Sequence, residues 1–246
     1  VAAIEVHGVS KAYVSALRRN LFFFWRRPGL KRVALDNLEF TADYGEIVGV
    51  IGANGAGKST LLRLLAGHER PDQGEVRVAG LDPFASTEDL RSLVGVVDEL
   101  DEGFRPASSL RANLEFAAGT CGRYVGRPDF EFLLDSLALR DDQDLPWKMA
   151  SQGLRRRVSM MRALLGEPRI LLLDEPTRSL DSETAEKAND LILQAAHSRG
   201  ACVVLVSHAP DDIRDLCDRS LVLDQGRLLY ISSGRTATRA GGGALV

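Results

Sequence analysis

Gly52-Ala53-Asn54-Gly55-Ala56-Gly57-Lys58-Ser59, with Thr60 next, has the residue types and spacing of a loop that cradles phosphates. Its glycines let the backbone curl until the N–H groups converge on phosphate oxygens, and a following helix adds partial positive charge at its start. Lys58 would reach the β- and γ-phosphates, and the Ser59 hydroxyl would hold magnesium. A second group supplies the rest of a hydrolytic site. Ile170-Leu171-Leu172-Leu173 runs directly into Asp174-Glu175. At the end of a buried strand, Asp174 would bind magnesium, and Glu175 would orient and deprotonate the water that attacks the γ-phosphate. Two adjacent acids at a strand end are ordinarily a solvated turn; the phosphate loop in the same chain reverses that reading. Ser207-His208 follows a further apolar run, and a neutral imidazole there could hydrogen-bond the γ-phosphate and the water. A lone histidine is more often structural, so His208 takes its meaning from these neighbours.

Such groups need a scaffold that brings strand ends together. Residues 46–51, 170–173, 202–206 and 221–223 are short runs rich in Val, Ile and Leu, which suits strands buried on both faces. Amphipathic stretches such as 60–66 and 184–197 separate them, and this alternation argues for a mostly parallel sheet covered by helices. Residues 4–6, 34–40 and 75–78 alternate near turn signals and predict a small N-terminal antiparallel β-layer. The middle, about 86–165, reads as an inserted helical lobe with helices over 108–118, 128–139 and 153–165. A single α/β domain is therefore expected over 1–231, with a flexible Gly- and Ala-rich tail over 232–246.

The 246 residues suffice for a sizeable core. A net charge of −3 gives no reason to expect a nucleic-acid partner. Cys121, Cys202 and Cys217 lack metal-ligand spacing and read as reduced, mostly buried thiols. No stretch approaches the roughly 18 apolar residues that span a bilayer. Residues 1–5 carry none of the charged and apolar regions of a signal peptide. Any path through a membrane is thus expected from another chain.

The order of these elements, over nearly the whole chain, resembles the ATP-binding cassette (ABC) family. Residues 52–60 look like its Walker A motif and 170–175 like its Walker B. Pro176-Thr177-Arg178-Ser179-Leu180-Asp181 is similar to its D-loop region, and His208 to its switch histidine. The family's signature, commonly LSGGQ, reads here Ala150-Ser151-Gln152-Gly153-Leu154, with Arg157 at the usual downstream arginine. Ser151 and Gly153 survive; the first and last positions do not. The resemblance implies a P-loop NTPase cassette with ATP and Mg2+ as ligands. Tyr13, Gly52, Asn54, Gly55, Ala56, Gly57, Lys58, Ser59 and Thr60 would contact the nucleotide, Tyr13 by stacking on adenine. Lys58, Glu175 and His208 would act in catalysis, and Ser59 and Asp174 on the metal. Ser151, Gln152 and Gly153 would close over the nucleotide of a second cassette, taken as another copy of this chain, with Asp181 in the D-loop. The pair would sit at the cytoplasmic face of a membrane, under a separate permease. Ser-x-Gly at a helix start also serves for capping alone, and an aromatic beside a strand for packing alone.

Departures point toward a cargo. After Val94-Gly95-Val96-Val97 the family's Q-loop glutamine is missing, and Glu99 aligns in its place. Glu99-Leu100-Asp101-Glu102-Gly103-Phe104-Arg105-Pro106, with Asn113 following, is similar to polysaccharide and teichoic-acid exporters. So is the long connection over 15–32, with Arg18, Arg19, Arg26, Arg27, Lys31 and Arg32 around Leu21-Phe22-Phe23-Phe24-Trp25, a composition suited to a membrane interface or a permease groove. Pro176-Thr177 after Walker B is unlike those exporters. A soluble ABC ATPase, or a nucleotide-binding regulator that hardly hydrolyses, are the competing readings.

Overall fold

The computed structural model describes residues 2–14, 31–98, 103–208 and 210–233. Along the chain lie β1 (Ala2–Val14), β2 (Lys31–Asp43), β3 (Ile47–Ile51), α1 (Lys58–Leu65), β4 (Gln73–Val78), α2 (Thr87–Arg91) and β5 (Val94–Val97). Then come α3 (Leu110–Thr120), α4 (Arg127–Ser136), α5 (Gln152–Leu164), β6 (Ile170–Asp174) and α6 (Ser182–Leu193). The last elements are β7 (Cys202–Val206), α7 (Pro210–Leu216), β8 (Arg219–Asp224) and β9 (Arg227–Ser233).

The apolar runs form a sheet ordered β5-β6-β7-β3-β8-β9, parallel except for β9, which runs antiparallel to β8. Period-two alternation sends neighbouring residues of one strand to opposite faces. Leu171 and Leu173 of β6, with Val203 and Leu205 of β7, pack under the helices. Ile170, Leu172, Val204 and Val206 face a second core shared with α1 and the antiparallel sheet β2-β1-β4. This is why these runs carry no polar alternation. The order also places the site. Val206 of β7 pairs with Val50 of β3 on one side and Asp174 of β6 on the other. The phosphate loop, the carboxylate pair and His208 therefore leave the sheet side by side at its carboxyl edge.

Several sequence boundaries move. Val94–Val97 pairs in parallel with Ile170–Leu173, so β5 belongs to the sheet and not to the lobe expected over 86–165. Ser109 accepts the Ala112 N–H as N-cap, which starts α3 at Leu110 and not at 108. Ala138, at φ +48°, takes the left-handed turn that follows the end of α4. After Leu193, α6 passes into a π turn over Gln194–Ser198. The boundary expected at 231 falls inside β9, whose Ser233 pairs with Arg219: ladder hydrogen bonds come from the backbone and override the small-residue composition there. Cys202 and Cys217 are buried and free, their thiols pushed up to about 12 by burial.

Helix α5 rests directly on β5. A Cβ at Gly95 would lie 2.0 Å from the carbonyl oxygen of Ala163, a backbone atom that cannot turn aside. Gly95→Ala is expected to destabilise the fold by about 1–3 kcal/mol, the usual cost of overpacking. An unchanged urea midpoint would show that α5 does not sit this close.

Candidate nucleotide site

One cavity of about 880 Å³ opens at that sheet edge. It is lined by ten of the predicted residues: Tyr13, Asn54, Gly55, Gly57, Lys58, Ser59, Thr60, Asp174, Glu175 and His208. Gly52 and Ala56 serve the loop's shape. The Gly52 carbonyl accepts from Lys58, and the buried Ala56 accepts the Gly226 N–H at 3.0 Å.

Lys58 is buried, with Nζ donating to Gly52 O at 2.7 Å and Ala53 O at 3.1 Å. Burial lowers its pKa, while the Glu175 and Asp174 charges across the cavity oppose that shift. Glu175 is also buried and adopts a left-handed φ of +52°, its N–H held by Val206 O at 2.9 Å. That turn, uncommon for a residue with a side chain, directs the carboxylate into the cavity at the strand end. Burial raises the Glu175 pKa, His208 opposes, and Asp174 adds to the rise. Oε1 of Glu175 is buried and takes no hydrogen bond from the chain. The half-exposed His208 places Nε2 3.7 Å from it. Tyr13 donates its hydroxyl to Glu69 at 2.5 Å, with the Thr60 hydroxyl 3.4 Å away on the same oxygen, which fixes its ring beside the start of α1.

The signature residues lie elsewhere. Ser151 is the N-cap of α5, accepting the Leu154 N–H at 3.2 Å, so the capping role is real within this chain. Gly153 abuts the D-loop region, since a Cβ there would lie 2.6 Å from Ser179 O. Asp181 caps α6 through the Thr184 N–H and hydroxyl, both at 2.9 Å. None of Ser151, Gln152, Gly153 or Asp181 lines the cavity. Glu99 and residues 15–30 of the basic insert fall outside the described residues, whereas Lys31 and Arg32, read as its end, are the first residues of β2, because their backbone pairs with Val14 and Tyr13.

Sequence reasoning missed the place of four groups in the site. Arg32, read as part of the basic insert, and Arg178, read only as part of the D-loop region, line the cavity. Asp212, in the first turn of α7, accepts from Thr177 and Ser207 at 2.8 and 2.9 Å and so ties the D-loop region to the segment before His208. Arg156 is buried, its Nη1 donating at 3.2 Å to the carbonyls of Asp98 and Asp174. One guanidinium thereby joins the signature helix to the strand carrying the acids. Its neighbour Arg157 instead reaches out to Ala138 O and Asp142. Adjacent arginines on a helix point about 100° apart, and no local signal tells which one faces the core.

The loop around Gly103-Phe104 is built from Asn113, which is buried. Its side chain accepts the Arg105 N–H at 2.7 Å and donates to carbonyls of Arg105, Ser108 and Ser109. Phe104 stacks on Trp147 with centroids 4.0 Å apart, and the Arg162 guanidinium lies 4.3 Å from the Phe104 ring centre. Among the described residues no helix is long and apolar enough to cross a membrane.

The ABC transporter family model matches residues 35–178. The chain is 35% identical over 234 residues to the Nod factor export ATP-binding protein I of Sinorhizobium fredii, covering 92% of this chain and 61% of that protein. It is 38% identical over 205 residues to the methionine import ATP-binding protein MetN of Caulobacter vibrioides, covering 80% and 60%. The chain thus spans about three fifths of the length of these curated relatives. Among solved structures, the ATP-binding cassette MJ0796, a dimer in a post-hydrolysis state bound to ADP and Pi, aligns with TM-score 0.79 and 26% identity over 94% of this chain and 99% of that one. An ATP-binding subunit of an ABC transporter aligns with TM-score 0.80 over 98% and 95%, and at 23% identity speaks to the fold alone. With the phosphate loop, paired acids and histidine gathered at one sheet edge, these matches lead to one conclusion: the chain belongs to the ABC transporter family, as an ATP-binding cassette.

Proposed function

We propose that this chain binds and hydrolyses ATP as one of two cassettes beneath a separate membrane permease, at the cytoplasmic face, and that the assembly exports a polysaccharide, polyol phosphate or lipid-linked glycan. The convergence of Lys58, Ser59, Asp174, Glu175 and His208 on one cavity carries the hydrolytic part. The loop amides and Lys58 bind the β- and γ-phosphates. Glu175, with a buried acceptor atom and a raised pKa, takes a proton from water as that water attacks the γ-phosphorus in line. The bond from the γ-phosphorus to the β–γ bridging oxygen breaks, and ADP and inorganic phosphate leave. His208 holds the water and the γ-phosphate in line. The Ser59 hydroxyl and Asp174 carboxylate are hard oxygen donors at the cavity and would hold magnesium. When bound, that ion neutralises charge on the β- and γ-oxygens.

Placement supports the dimer. Ser151 and Gln152 are exposed and, with Gly153, lie off the chain's own cavity, so they are free to clamp a partner's nucleotide through the start of α5. ATP gripped from both sides favours closure, and hydrolysis releases it. Export rests on the similarity around Gly103-Phe104 and on a relative named for Nod factor export; MetN relatives, named for import, stand against it.

Purification of tagged Glu175→Gln protein with ATP, from its native membrane in mild detergent, tests this reading. A polytopic partner in a two-to-two ratio is expected, and the partner's identity then tests the cargo. Recovery of cassette dimers with soluble proteins alone would sink the transport role.

A further inference from the structure

Arg32 stands opposite Tyr13 in the β1–β2 register and lines the same cavity as Tyr13, Gly55 and Lys58. Its guanidinium lies against the phosphate loop: a Cβ placed on Gly55 would come 2.4 Å from Arg32 Nη2 and 3.7 Å from Cζ. Among the described residues no acid pairs with it. The cavity's two acids, Asp174 and Glu175, act instead on Lys58. The cavity thus has two cations set against its acids, Lys58 and Arg178, and a third, Arg32, at the Tyr13 end, paired with neither. An arginine's planar fork of donors fits phosphate oxygens, and without a carboxylate partner nothing internal competes for it.

Building on the ATP-binding reading above, we propose that Arg32 binds the α- and β-phosphates of the nucleotide. A triphosphate with its γ end at Lys58 and Glu175 and its base at Tyr13 runs its diphosphate portion past Gly55 and Arg32. Arg32 then serves ADP and ATP alike, whereas His208 senses the γ-phosphate. Gly55 has a second task beside its turn: any side chain there would displace the guanidinium.

Calorimetric titration of the full chain with ATP and with ADP, both without metal, tests this. Arg32→Gln, which keeps a polar end and removes the charge, is expected to weaken both nucleotides about tenfold, the scale of one charge-assisted hydrogen bond. Arg32→Lys should lose about threefold, since it keeps the charge without the fork. Binding of both nucleotides within twofold of wild type would overturn the proposal, as would a loss confined to ATP. Should the Gln variant unfold, the Lys variant decides: no loss for either nucleotide overturns it. Failure of the wild-type chain to bind either nucleotide would instead overturn the ATP-binding reading itself, and this proposal with it.

Discussion

Glu175→Gln is expected to cut ATP turnover about 10²–10⁴-fold, the range a general base supplies, while leaving ATP affinity within a small factor of wild type. The substitution keeps the size of the side chain and asks the same of the left-handed backbone at φ +52°. Its effect therefore falls on the proton and not on the fold. The pH profile gives an independent check. Burial raises the Glu175 pKa, so the acid limb of turnover should lie above the ordinary carboxylate value of 4.5. The base works only when ionised, so the rate falls as pH drops through the raised value. Near wild-type turnover in the Gln variant would remove Glu175 from the role of base.

Lys58→Ala should damage both binding and hydrolysis, with turnover lower by about 10²–10³-fold, the cost of deleting one preorganised electrostatic contact. Two losses combine. The β- and γ-phosphates lose their cation, and Asp174 and Glu175 face the anionic ligand without the charge that acts on them. The loop also loses two internal hydrogen bonds, to Gly52 O and Ala53 O. ATP titration separates this variant from Glu175→Gln, since only the lysine variant should bind weakly. Unchanged ATP affinity in Lys58→Ala would show that the loop amides alone hold the phosphates.

Where the physics is local, the chain could be read directly. Gly52 to Thr60 needs only a strand before it and a helix after it, and β3 and α1 are there. Continuous apolar runs read as buried strands because nothing polar can sit on either face of a covered parallel sheet. Tyr13 could be placed near the phosphate loop only through the family resemblance, and not oriented, because its hydroxyl is held by Glu69, 56 residues away. Val94–Val97 reads as part of the lobe because a four-residue run surrounded by helical signals gives no sign of its pairing with β6.

The candidate chemistry is legible along the chain: a phosphate cradle, two acids after a buried strand and a histidine after another, each specified by neighbours within a few residues. Which other groups join them depends on how the chain folds. Strand order set the three loop ends side by side, and cross-strand register brought Arg32 beside Tyr13 at the cavity. Helix rotation buried Arg156 against Asp98 and Asp174 while turning Arg157 outward. These choices depend on contacts between residues far apart in the chain, where no propensity or spacing acts, and packing of the two cores fixes them.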